Sequence, residues 1–231
     1  MQSPLRGKTA ILVFANSSKE ELKQKPMAKG EALFDELILQ TLATVRKTKL
    51  PYFHYSEDQQ RGNSFGERFT NAIQDIFNSG YEQIVTVGSD TPLLKASHIT
   101  EAAGLVNPDN SVLGPSLDGG FYLMGLHKDN FEPTSFKKLP WQTSELTSAI
   151  STLLQVSKNR ISKLEILVDV DNAQDLKTIV GQGNALGKKL LRLIRSVIAS
   201  KREILHFTTS FFTSYFTKTH YNKGSPVFFR S

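Results

Sequence analysis

The sequence predicts an α/β protein with a mainly parallel mixed sheet, and three observations lead there. Strand-like and helix-like patterns alternate through the first 184 residues, the mark of βα units. The run from Gln83 to Val87 is rich in β-branched residues, breaks at Gly88 and delivers Asp90 and Pro92 just past its end. Asp90 has two readings: a metal or phosphate site at the C-terminal edge of an open sheet, or a cap on the next turn. Third, carboxylates recur in GSDTP (Asp90), LDGG (Asp118) and VDVD (Asp169 and Asp171), each following or joining an apolar strand-like segment. In a parallel sheet such ends share one edge, so these acids can converge.

Taken in order, Lys8 to Phe14 reads as a first buried strand, and Glu31 to Arg46 as an amphipathic helix with Leu33, Leu37, Ile38, Thr41 and Leu42 on one side. Tyr52 to Tyr55 suits a short second strand. Ser64 with Glu67 forms a capping-box pair opening a helix with Phe69, Ile73, Ile76 and Phe77 on its apolar face, ended by Gly80. After the Gln83 to Val87 strand comes a helix from Ala96 to Leu105. Ser111 to Gly114 and Phe121 to Leu126 are apolar runs about a glycine-rich turn, and a further helix follows Pro140 to Thr143 and continues through Leu154. Leu164 to Val168 is read as another buried strand ending in Asp169 and Asp171, with a helix from about Ala173 to Val180.

Of 231 residues, 39% are hydrophobic and 22% charged, a soluble globular composition with no apolar run near the roughly 20 residues that span a bilayer. No signal-peptide pattern is read at the N-terminus, and a cytoplasmic protein is expected. The absence of cysteine excludes disulfides, thiolate catalysis and Cys-ligated zinc, and the five histidines show no metal-ligand spacing. The net charge of +6 is unevenly spread: residues 185–231 carry nine Lys or Arg against Glu203 alone, leaving residues 1–184 slightly acidic. We therefore expect a domain over 1–184 and a basic, aromatic-rich tail over 185–231. Within the tail, Leu186, Leu190, Ile194, Val197, Ile198 and Leu205 recur at helical spacing between basic residues. Either this helix packs on the domain or a partner, or residues 185–217 lie on an anionic membrane surface and make the protein membrane-peripheral. No recognition module for nucleic acid accompanies it.

Convergent carboxylates repel unless a cation lies between them. With oxygen donors only, Mg²⁺ or Mn²⁺ is the expected cofactor, held by Asp90, Asp169 and Asp171; the alternative for the last two is capping of the next helix. Gly119 and Gly120 allow a ligand to approach the backbone or simply turn the chain. Phe121 and Tyr122 line a sugar or base pocket or belong to the core. Gly62 to Arg68, GNSFGER, offers Gly62, Gly66 and Arg68 as an anion site at a helix start, or an ordinary exposed first turn.

GSDTP, LGPSLDGGFYLMGL, LPWQTS and LVDVDNAQDL, in that order and with these gaps, resemble the DUF2064 family, often described as glycosyltransferase-like and related to the guanylyltransferase that acts on phospholactate. The resemblance covers about residues 8–180. It implies a three-layer α/β/α sandwich of the nucleotide-diphospho-sugar transferase (GT-A) type. It also implies a metal-binding role for Asp90, Asp169 and Asp171, and a substrate-side loop at Asp118, Gly119 and Gly120. Gln60, Gly62, Gly66, Glu67 and Arg68 fit the family's Q-x-G-x-x-x-G-E-R stretch. The departure is near the N-terminus, where FANSSKEELKQKPMAKG replaces a basic K-x-P-x-x-G-x-x-K-T-R-L segment. Only Lys25 and Lys29 remain there to face phosphate, and both read more naturally as solvated loop lysines.

The expected function is transfer of a sugar from a nucleotide-diphospho-sugar donor with a divalent metal, with Asp90 and Asp118 as catalytic residues and Gly62, Gly66, Arg68, Ser89, Gly119 and Gly120 contacting nucleotide or substrate. The alternatives are nucleotidyl transfer to a phosphorylated small molecule, and a non-catalytic nucleotide-binding or scaffold protein in which the altered N-terminal segment has ended turnover.

Overall fold

The computed structural model describes residues 9–156, 159–181 and 186–200. Six strands form one sheet: β1 (Thr9–Phe14), β2 (Tyr52–Tyr55), β3 (Gln83–Val87), β4 (Asn110–Pro115), β5 (Phe121–His127) and β6 (Arg160–Lys163), in the order β2-β1-β3-β5-β4-β6. Only β5 runs antiparallel to its neighbours. The C-terminal ends of β1, β3 and β4 therefore share one edge with the start of β5.

Period-two alternation along the strands builds two cores. Ile11, Val13, Val85, Val87, Val112 and Leu123 pack with Val45 of α2 (Gly30–Lys47) and with Ile99, Ala102 and Ala103 of α4 (Ala96–Leu105). Their neighbours Ala10, Leu12, Ile84, Leu113, Met124 and Leu126 point to the other face. There they meet Phe69, Ile73 and Ile76 of α3 (Phe65–Asn78), Phe136 of α5 (Pro133–Lys137), and Ile150 and Leu154 of α6 (Leu146–Val156). The result is the three-layer α/β/α sandwich expected from the motifs.

Two segments differ from the sequence-based expectation. Leu164 to Val168 is not a strand; the sixth strand is Arg160–Lys163, paired in parallel with β4. It is a half-exposed edge strand, so it lacks an apolar run to announce it. Residues 164–170 follow the sheet edge through scattered backbone bonds: Leu164 N–H to Leu113 O, an isolated bridge in which Leu167 N–H donates to Pro115 O and Leu117 N–H to Leu167 O, and Val170 N–H to Asp90 O. The altered N-terminal segment forms a helix, α1 (Ser18–Gln24), capped by Ser17, whose hydroxyl accepts from the Glu20 N–H.

A third cluster joins α2 to the last helices. Leu33, Phe34 and Leu37 pack against Leu176 and Ile179 of α7 (Ala173–Gly181), against Val168 and Val170, and against Leu190, Ile194 and Val197 of a helix over 188–200, here α8. Lys189 also pairs with Glu36 of α2. Half of the six apolar repeat positions of the basic helix are thus buried on the domain; Leu205 and the aromatic run after it lie outside the described residues. Among the described residues no helix is long and apolar enough to cross a membrane.

Candidate functional site

At the shared sheet edge the chain leaves β3 through Gly88 and Ser89 and turns at Asp90, while the 164–172 segment passes beside it. The Val170 N–H donates to the Asp90 carbonyl at 2.9 Å. Side chains alternate along this extended stretch, so Asp169 and Asp171 flank that contact on opposite sides.

Asp169 turns towards the interior. Its carboxylate accepts from Thr91 Oγ1 at 2.6 Å and from Ser116 Oγ at 2.5 Å. Burial, with Asp90 adding to it, pushes its carboxyl up to about 7 despite those two hydrogen bonds. Asp171 turns outward and is not the helix cap: Asn172 Oδ1 accepts from the Gln174 and Asp175 N–H groups, and Asp175 accepts from the N–H of Asn172 and of Asp171. That reciprocal box leaves the Asp171 carboxylate free for other work.

The residue found between the acids is Lys25, at the C-cap of α1. Its ammonium stands 2.5 Å from Asp90 Oδ2, 2.8 Å from Asp171 Oδ1 and 3.7 Å from Glu21 Oε2. The lysine side chain is only 17% exposed. Burial alone would lower its pKa, but Asp90, Asp171 and Glu21 outweigh burial and hold the ammonium above its ordinary value. The solvated-loop reading is therefore corrected for Lys25; Lys29, exposed and left-handed at φ 58°, keeps it. Sequence reasoning named Lys25 but favoured a solvated loop for it because α1 was not recognised, although Ser17 followed by Glu20 is an S-x-x-E start signal. The helix is anchored from outside: Glu57 accepts from the N–H and hydroxyl of Ser17, and Gln60 donates to Asn16, which donates to Glu21.

A cavity of about 430 Å³ opens here, and two chemically different groups line it. One is the charged set Glu21, Lys25, Asp90, Asp169 and Asp171. The other is the aromatic set Phe14, Phe65, Phe69, Phe121 and Trp141, their rings 5.1–6.2 Å apart. Arg68, on the first turn of α3, lines the cavity and has no carboxylate partner among the described residues. Ser89, Asp118, Gly120, Phe121 and Tyr122 also line it. Tyr122 serves the core as well, 2% exposed, with its hydroxyl donating to the Glu165 carbonyl.

Gly62, Gly66 and Gly119 do not line the cavity and shape its wall from behind. Gly119, at φ +93°, crosses so close to Ser144 that a β-carbon would strike that residue's backbone. The loop is fastened to α6, with the Thr147 N–H donating to Gly119 O and the Thr147 hydroxyl to Gly120 O. Asp118 is exposed, one oxygen accepting from the Gly120 N–H at 3.0 Å. Gly62 makes the turn into α3 at φ +140°, and Gly66 admits the indole of Trp141 against the helix backbone. The Ser64 cap is present, but Glu67 completes it by accepting from the Asn63 N–H.

For a divalent cation the donor chemistry fits: hard carboxylate oxygens from Glu21, Asp90, Asp169 and Asp171 outnumber the one ammonium among them. The present arrangement is not a ligand shell, since no three acids or histidines among the described residues are grouped to hold a metal. Asp90 and Asp171 are the pair that bracket the Lys25 ammonium.

Solved structures resemble the chain as a whole. A protein from Desulfovibrio desulfuricans G20, described as a "putative nucleotide-diphospho-sugar transferase", is 21% identical; the match covers 83% of this chain and 97% of that one, with a TM-score of 0.73. A glycosyltransferase involved in glycosylation of the major capsid of PBCV-1 is 16% identical over 68% of this chain and 81% of its own, with a TM-score of 0.47. A cytidylyltransferase from Leptospira borgpetersenii is 14% identical over 84% and 95%, with a TM-score of 0.41. No curated protein matches. The first of these shows the fold to be that of the nucleotide-diphospho-sugar transferases. The profile of DUF2064, an uncharacterized protein family conserved in bacteria, matches residues 38–143, which bears out over that span the resemblance read from the motifs.

Proposed function

We propose that the protein is a transferase that binds a nucleotide-diphospho-sugar in the cavity at the sheet edge and transfers the sugar. The observation that carries this reading is the mixed lining of the cavity: carboxylates from three separate segments meet around Lys25, and a cluster of aromatic rings lines the same cavity. A nucleotide sugar needs both a place for a charged diphosphate and surfaces for flat or apolar ring faces.

Asp90 and Asp171 would hold a divalent cation, with Asp169 beside them. Such a cation, when bound, neutralises charge on the departing diphosphate as a Lewis acid. Arg68 supplies a guanidinium for phosphate oxygens, for which its planar fork is suited. Ser89 offers a hydroxyl next to Asp90. Phe65, Phe121 and Trp141 take the base or sugar face and exclude water from it. Asp118, oriented by the Gly120 N–H, accepts the proton of an acceptor hydroxyl. The rate then comes from positioning and from stabilising the leaving group.

The test is a thermal-shift screen of nucleotides and nucleotide sugars, with and without Mg²⁺ or Mn²⁺, on wild type and Asp90→Ala. A ligand that binds only the folded state raises its stability. A nucleotide sugar should stabilise wild type more with metal than without, and Asp90→Ala should lose that gain. A panel in which nothing stabilises wild type would reject the reading. With a donor in hand, release of nucleoside diphosphate identifies sugar transfer, and release of pyrophosphate from a nucleoside triphosphate identifies nucleotidyl transfer.

A further inference from the structure

We propose that Lys25 and a divalent cation are alternative occupants of one position between Asp90 and Asp171, so that the lysine keeps the metal out until it is displaced. The inference rests on the metal-dependent reading above and adds a mode of control to it.

The geometry is specific. Lys25 Nζ is within hydrogen-bond distance of one oxygen from each of the two acids that bracket the cation position, 2.5 Å on Asp90 and 2.8 Å on Asp171. Glu21, one helical turn back on α1, closes the third side at 3.7 Å. These partners come from three segments, and Asp90 and Asp171 are tied by the Val170 to Asp90 backbone bond, so the pair cannot spread easily to admit a second cation. An ammonium and a metal ion at the same point would repel, and each needs the same carboxylate oxygens. Occupancy by one therefore excludes the other.

The lysine also has somewhere to go. It sits past the last turn of α1, at φ −122° and ψ 70°, on a long unbranched side chain. It lines the cavity together with Arg68. A lysine released from the carboxylates is a phosphate-binding point charge on the wall where a diphosphate would lie. Metal entry thus moves the ammonium from acid to phosphate, and the site loads in a linked exchange of cations.

The experiment titrates Mn²⁺ alone into nucleotide-free protein by calorimetry. Three proteins are compared: wild type, Lys25→Met, which keeps the unbranched four-atom stem without the charged end, and Lys23→Met, which removes an exposed charge from the same helix. Lys25→Met should bind Mn²⁺ at least tenfold tighter than wild type, and Lys23→Met should match wild type within twofold. Equal or weaker binding by Lys25→Met would overturn the competition while leaving the metal site standing; no Mn²⁺ binding by any of the three would reject the metal site itself. A second measurement covers a Lys25→Met protein that fails to fold. Wild type is acetylated at limiting reagent with and without Mn²⁺, and labelling of Lys25 is counted by peptide mass spectrometry against the exposed Lys23 and Lys29. Metal should raise Lys25 labelling several-fold relative to those two, and an unchanged ratio would overturn the proposal.

Discussion

Replacing Asp169 by Asn should make the protein more stable, and increasingly so as the pH rises. Asp169 is held by two hydroxyl donors, yet burial and the neighbouring Asp90 raise its carboxyl from 3.8 to about 7. A folded-state value above the unfolded one means that the folded protein holds the proton over a range where the unfolded chain has lost it. Stability then falls as pH rises from about 4 and levels off above about 7. Integrated between pH 5 and pH 8, that loss is roughly 2.5 kcal/mol for this one group. Asn keeps the size and cannot ionise, and one of the two hydroxyls, Thr91 or Ser116, can turn to accept from its amide. Urea unfolding of both proteins at pH 5, 6, 7 and 8 measures the effect. The variant's advantage should widen by roughly 2.5 kcal/mol across the series, since other titrating groups contribute to both curves. A gap that stays constant from pH 5 to pH 8 would show that Asp169 is ionised throughout, and the account of its environment would be wrong.

Gly119→Ala places a β-carbon on the Ser144 backbone at a positive φ, and should cost about 1–3 kcal/mol in urea unfolding while weakening any ligand that touches the 118–120 loop; an unchanged midpoint would refute the packing. Ile194→Ala empties a fully buried site between α8 and α2 and should cost about 2–5 kcal/mol, whereas a loss under about 0.5 kcal/mol would mean that α8 is not docked. Glu132 caps α5 through the Thr134 and Ser135 N–H groups, and the Ser135 hydroxyl, ahead of those two N–H groups, holds its carboxyl down at about 2. Its contribution is complete above the usual 4.5 and is lost as pH falls towards 2, so the Tm of Glu132→Gln should lie below wild type at pH 6 and converge with it near pH 2. A gap that persists at pH 2 would contradict that assignment.

The sheet was legible where strands are buried on both faces. β1 and β3 carry unbroken apolar or β-branched runs because each lies between two strands and two helical layers, and their limits match the residues within one position. Arg160–Lys163 was illegible for the opposite reason. As an edge strand it needs no apolar face, while the more apolar 164–170 stretch divides its side chains between two clusters, Leu164 and Leu167 to one and Val168 and Val170 to the other. An apolar run reports burial; it does not report a partner strand. The same limit applied to the basic helix, whose spacing marked Leu190, Ile194 and Val197 as one face without saying that α2 would cover it.

At the site, the acids were legible individually because each follows an apolar segment, but of these only Asp90 lies past a parallel strand end; Asp118 sits in the turn of the antiparallel β4–β5 pair, and Asp169 and Asp171 are brought in by the non-strand 164–172 segment. Lys25 was not legible as part of the site, because nothing local distinguishes it from Lys23: one lies 72% exposed beside Glu20 and the other is enclosed by Asp90 and Asp171. What separates them is the phase of α1. Ser17 fixes the first turn, Glu21 and Lys25 then fall four residues apart on one face, and that face meets the sheet edge. This bears on the missing basic segment, whose absence was the reason to suspect lost turnover. A loop rich in lysine and arginine is one way to bring positive charge to this edge; a short capped helix ending in a single enclosed lysine is another. Since Lys25 arrives already neutralising Asp90 and Asp171, the relevant quantity is how readily it leaves them, which the Mn²⁺ titration measures directly.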